Sequence, residues 1–145
     1  MRLRAINIYS SFLGDSNKTR ERTGFLRQES DFLDYEFYKR VKYINNDYCK
    51  QLNIACNENI NGIIIGKPDF DGYPRIEIPF NINDYSMKSC YEKGLYWIKA
   101  LREIFSTLIT QYEFDKEKTE YFLSYLEEKY SEINMYEKIK KDIQQ

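Results

Sequence analysis

A chain of 145 residues with 42% hydrophobic and 31% charged side chains has the balance of one globular domain, and at this length roughly 70% of the unfolded surface can be buried without staples. Its net charge is −1 and it contains no histidine. These facts exclude a Cys/His zinc site and any Ser-His-Asp or Cys-His nucleophile within the chain, and they give no global attraction to nucleic acid or a membrane surface.

In chain order, residues 2–9 (RLRAINIY) suit a first strand rather than a signal peptide, since basic residues are followed by neither an unbroken apolar stretch nor a small-residue cleavage site. Residues 10–31 are polar, opening with a turn cluster at Gly14–Asn17, and read as loop or as a short helix broken near Gly24. From Leu33 to Tyr43 apolar and charged side chains alternate, with Leu33, Tyr35, Phe37, Val41 and Tyr43 in phase, which predicts a strand. Asn45–Asp47 supplies turn chemistry, and Tyr48, Leu52, Ile54 and Cys56 alternate again, so the two runs are expected to form a hairpin.

The unbroken run Ile63–Ile65 predicts a central strand buried on both faces. Gly66–Pro74 reads as a loop, and residues 75–80 as one more strand whose Pro79 belongs at an edge or an end. After residue 84 the period changes to that of a helix through Tyr112, with Asp84 or Ser86 as its cap. A break at Glu113–Asp115 precedes a second helix capped by Asp115 and carrying Phe122, Leu126, Tyr130, Ile133, Tyr136 and Ile139 on one side. The expected architecture is α+β. A mainly antiparallel N-terminal sheet of about five strands packs against two long C-terminal helices, in a single domain over 1–145 that is strand-rich over 1–82 and a helical hairpin over 84–142.

Few residues carry a chemical signal. Cys49, Cys56 and Cys90 show no Cys-x-x-Cys spacing and read as reduced, buried apolar side chains of a cytoplasmic protein. No phosphate-cradling glycine motif is present, and no apolar run approaches a membrane span. Asp69, Asp71 and Gly72 faintly resemble the opening of a calcium loop, but the twelfth position holds Phe80 where a bidentate Glu is needed. No metal and no cofactor are expected. Asp69, Asp71 or Glu77 with Lys67 are the groups that a histidine-free enzyme would have to use. Lys18, Arg20, Arg22 and Arg27 could meet phosphates, yet Asp15, Glu21 and Glu29 are mixed among them, which argues against nucleic acid.

Surface recognition is the remaining class. The 14 tyrosines suit a binding surface, although the abundance of Ile, Asn, Lys and Tyr together is also what AT-rich codons produce. The loop presents Asp69, Phe70, Asp71, Tyr73 and Arg75, and Trp97 sits about 100° round the helix from Ile98, near the edge of the buried stripe. These six residues are the expected partner contacts. In size and character, with no catalytic constellation, abundant Tyr and Asn and a presentable loop, the chain resembles the immunity proteins of bacterial contact-dependent and polymorphic toxin systems. The resemblance implies a cytoplasmic, non-enzymatic inhibitor that binds a cognate toxin domain stoichiometrically and blocks its activity. Its near-neutral charge departs from the strongly acidic character common among inhibitors of nucleases. The other readings are a small nucleic-acid-binding or regulatory module and a histidine-free carboxylate enzyme.

Overall fold

The computed structural model describes residues 1–68 and 73–130. Its elements in chain order are β1 (Arg2–Leu3), β2 (Ala5–Ser10), α1 (Ser16–Arg40), β3 (Ile44–Asn45), β4 (Gln51–Asn57), β5 (Ile64–Pro68), β6 (Pro74–Pro79), α2 (Ile82–Ser86), α3 (Cys90–Tyr112) and α4 (Lys116–Lys129). The α+β class stands, and its arrangement differs from expectation in three respects.

The first concerns α1. Residues expected to form a polar loop and then a strand make one helix of 25 residues, the longest in the described chain. Asp15 starts it by accepting hydrogen bonds from the amides of Asn17 and Lys18, satisfying orphan donors of the first turn. Its buried stripe is Leu26, Ser30, Leu33 and Phe37, at helical spacing. Ser30 holds an interior position because its hydroxyl donates to the Leu26 carbonyl at 2.6 Å.

The second concerns the sheet. It has four strands in the order β2-β4-β6-β5, with β1 and β3 forming a separate two-stranded antiparallel pair. Pairing is parallel between β2 and β4 and between β4 and β6, and antiparallel only between β5 and β6. The sheet is therefore mixed, and the expected hairpin of 33–43 with 48–56 does not form. Parallel neighbours need a crossover, and α1 supplies the one from β2 to β4. The expected central strand at Ile63–Ile65 is instead edge strand β5, with Ile64 exposed. Pro79 falls at the end of β6, where a missing amide costs no ladder bond.

The third concerns the helical part. α2 and α3 are separate, each with its own cap. Asn81 accepts from the Asp84 amide, and Ser89 forms a capping box with Glu92. Glu113 adopts the left-handed conformation that ends α3, and Asp115 caps α4 as expected. α4 folds back along α3, where Arg102 bonds Glu120 and Glu127. The continuation of this helix towards residue 142 lies outside the described residues.

One face of the four-stranded sheet carries Ile6, Ile8, Leu52, Ile54, Ile76 and Ile78, all buried. Against it pack Leu26, Leu33 and Phe37 of α1, Leu101, Ile104 and Phe105 of α3, and Phe122 and Leu126 of α4, in one continuous cluster. Because strand side chains alternate, placing this set inward commits the other set to the opposite face of the sheet.

Candidate functional site

That opposite face carries Ala5, Asn7 and Tyr9 of β2, Gln51, Asn53, Ala55 and Asn57 of β4, and Arg75 and Glu77 of β6. The alternating burial of β2, in which Ala5, Asn7 and Tyr9 stay partly exposed while Ile6, Ile8 and Ser10 are buried, marks the division. Strand register sets the rows across the sheet. Asn7 lies beside Asn53, and Tyr9 beside Ala55, then Glu77, then Ile64. Ala55, small and central, leaves room between Tyr9 and Glu77.

The polar groups order one another. Asn53 Oδ1 accepts from Gln51 Nε2 at 2.6 Å and from Asn7 Nδ2 at 3.5 Å. Glu77, only 5% exposed, accepts from Asn57 Nδ2 at 3.1 Å, and its other carboxylate oxygen lies 3.2 Å from Arg75 Nη2. A buried carboxylate needs such compensation, because desolvating an unpaired one is costly. Burial raises the pKa of the Tyr9 hydroxyl, the Glu77 charge adds to this, and Arg75 offsets part of it. Tyr9 therefore remains a neutral phenol, able to donate and to accept.

Beside these rows the surface sinks into an open depression of about 540 Å³, bordered by Asn7, Tyr9, Asn53 and Tyr73 on the sheet side and by Thr23 and Arg27 of α1 on the other. Tyr73, 39% exposed, stands where the chain enters β6.

Of the six expected contact residues, the fold brings Tyr73 and Arg75 to this face. Asp69, Phe70 and Asp71 lie outside the described residues. Trp97 lies elsewhere, at 1% exposure, with its Nε1 donating to the Tyr85 hydroxyl at 2.9 Å and its ring against Phe80 and Tyr96. It is a core residue, because its side of α3 meets the aromatic cluster formed by the end of β6 and α2. Sequence reasoning missed Tyr9, Asn7, Gln51, Asn53 and Asn57. Their signal was present as the polar parity of two strands, but it means a shared surface only once β2 and β4 are known to pair.

For chemistry the arrangement offers amides, phenols and one neutralised ion pair. Glu77 is engaged by two partners. Cys56 points to the opposite, buried face, where desolvation pushes its thiol up to about 12, far from a thiolate nucleophile. Among the described residues no group of three or more Cys, Asp or Glu could hold a metal ion, and no helix is long and apolar enough to cross a membrane. Comparison with known proteins finds no matching family model, no similar curated protein and no similar solved structure.

Proposed function

We propose that the chain is a toxin-immunity protein, a cytoplasmic inhibitor that binds one cognate toxin domain through the polar face of its sheet. The observation that carries the reading is the composition of that face: Tyr9, Asn7, Asn53, Gln51 and Arg75 on strands, with Tyr73 at the entry to β6 and, among the described residues, no helix laid over them. Tyr and Arg are enriched at recognition surfaces, and Asn and Gln add adaptable hydrogen bonding. Strands hold such groups at fixed spacing, so little ordering cost is left for binding.

The same face bears on the partner's chemistry. The Arg75 charge is matched internally by Glu77, so the surface suits a toxin site of mixed polarity rather than a strongly basic one. Asp69, Phe70 and Asp71 precede Tyr73 in the sequence and belong to the proposed contact set.

The test is recovery of the tagged chain from its host, identification of the bound protein, and titration of that protein's toxic activity with purified chain. The expected result is complete inhibition at one equivalent. Tyr73→Ala or Arg75→Ala should then weaken binding by about 2 kcal/mol if these side chains are anchors. A stoichiometric partner that both variants bind with unchanged affinity would place the interface elsewhere. Absence of any partner whose activity is inhibited would remove the proposal.

A further inference from the structure

A second surface, at the end of α1 and away from the Arg75–Glu77 pair, collects positive charge. Arg4, Tyr38, Lys39, Lys42 and Tyr43 line a hollow of about 540 Å³ with no carboxylate among them. Two further cations sit on the Tyr43 ring: Arg2 Cζ lies 4.8 Å and Lys118 Nζ 3.7 Å from its centroid. Tyr38 is 73% exposed. Three separate elements supply this set, since Arg2 belongs to β1, Tyr38 and Lys39 to α1 and Lys118 to α4.

The cations at the hollow lack the carboxylate partners that several others have. Arg22, Arg40, Arg75, Lys93, Arg102 and Lys129 each sit within 4 Å of a carboxylate. Among the described residues Arg2, Arg4, Lys39, Lys42 and Lys118 have no such partner. The whole chain carries −1, so with these five positive charges set apart the remainder carries a net −6. Like charges held together without counter-charges repel one another, and an anion seated among them relieves that repulsion.

We propose that this hollow docks an acidic segment of a partner protein, a short run of Asp or Glu side chains. Two observations favour carboxylates on a peptide over a nucleic acid. A polyanion longer than the hollow would meet the net-negative remainder of the surface, in a chain whose pI is about 5.7. The Tyr43 ring already carries two cations, which leaves it poorly placed to stack on a base. The donors present are ammonium, guanidinium and phenol groups, which suit carboxylate oxygens as well as they suit phosphates, so the choice between the two rests on charge and stacking. The site is distinct from the polar sheet face, and it stands whether or not that face binds a toxin.

The test uses the full-length chain and a fluorescein-labelled oligoglutamate peptide, with binding read by anisotropy at low and at moderate salt. A labelled oligothymidylate of equal charge serves as the competing probe. The peptide should bind more tightly than the oligonucleotide, with affinity falling as salt rises. Lys39→Glu and Arg4→Glu should each weaken peptide binding by about tenfold, equivalent to about 1.4 kcal/mol. Lys99→Glu makes the same change of net charge on an exposed part of α3 that does not border the hollow, and it should leave the affinity close to wild type. Lys39 is exposed and bears no core contact, so its variant carries the test alone if Arg4→Glu fails to fold. Absence of peptide binding, an equal loss in Lys99→Glu and Lys39→Glu, or tighter binding of the oligonucleotide would each overturn the proposal.

Discussion

The carboxylate of Asp34, on α1, accepts the backbone amide of Ile6, on β2, at 2.7 Å. β2 is an edge strand of the four-stranded sheet, and the amides of Ile6, Ile8 and Ser10 alternate away from β4 towards the open edge. Thr23 repeats the device four residues along the strand, its hydroxyl accepting from the Ser10 amide at 3.0 Å. The helix that crosses beside the strand thus closes an edge that could otherwise template pairing with another chain. Asp34→Ala should cost about 1–3 kcal/mol by leaving the Ile6 amide unmatched, while Asp34→Asn, which retains an acceptor oxygen, should recover part of that. Chemical denaturation of the two variants measures the difference. Equal losses in both would show that charge, rather than the acceptor, is what α1 provides.

Trp97 is the sole tryptophan and lies inside the aromatic cluster with Phe80, Tyr85 and Tyr96. Its emission should be that of a water-excluded indole and shift to longer wavelength on unfolding. Trp97→Ala should destabilise the chain by about 3–5 kcal/mol, the range for large aromatic truncations in a core. Trp97→Phe should cost less, though it removes the indole N–H from which the Tyr85 hydroxyl oxygen accepts. A solvent-exposed emission maximum in the native chain would contradict this placement.

Glu36 is 1% exposed and accepts from the Tyr130 hydroxyl at 2.6 Å, with Lys129 Nζ 3.7 Å away. Burial pushes its carboxyl pKa up, but the Tyr130 hydrogen bond and the Lys129 charge outweigh that and hold it below the ordinary glutamate value. A lowered folded-state pKa means stabilisation that is complete above the unfolded value of ~4.3 and is lost as pH falls through the folded one. The melting temperature should therefore drop in that acid window, and Glu36→Gln should flatten the drop while lowering stability by about 2 kcal/mol at neutral pH. Melts recorded from neutral to acid pH for both proteins give the comparison. Parallel pH profiles would assign the acid sensitivity to other carboxylates.

The cysteines should separate by accessibility. Cys49 and Cys56 are buried, and desolvation pushes each thiol up to about 12, whereas Cys90 is only partly buried at the start of α3. A thiol reagent at neutral pH should modify Cys90 in the native chain and the other two only as it unfolds. Modification of all three at one rate in native buffer would mean that the core opens faster than the reagent acts.

Several elements could be read before the fold was known. β2, β4 and β6 lie within two or three residues of their expected places, and Asp115 caps α4, because period-two runs and capping residues are local signals. α1 departs from expectation for an equally physical reason. The side chains alternating from Leu33 to Tyr43 fit a strand, and the true stripe Leu26, Ser30, Leu33, Phe37 is interrupted by a serine. A glutamate, Glu36, adds a buried polar residue beside it. Phe25, Phe32, Tyr35 and Tyr38 place aromatic groups off the stripe and blur its period further. The parallel pairing of β2 with β4 depends on that helix, so expecting a strand there also hid the polar face of the sheet. The basic hollow was illegible for a different reason. Arg2, Lys39 and Lys118 are far apart in sequence, and only the docking of α1 and α4 near β1 collects them.

The length of α1 has a consequence for local opening. Its 25 residues extend roughly 37 Å at a helical rise, while the six residues of β2 cover about 20 Å. The helix therefore overhangs the strand, and its buried positions begin only at Leu26. Before that point Thr19, Arg22 and Thr23 provide side-chain ties, through hydrogen bonds to the amides of Leu13 and Ser10 and an ion pair with Glu58. Amides from Ser16 to Arg22 should therefore exchange with solvent deuterium by fraying alone, while those from Leu26 to Phe37 wait for opening of the core. One continuous helix would thus register as two separate protection classes, with the division close to Gly24.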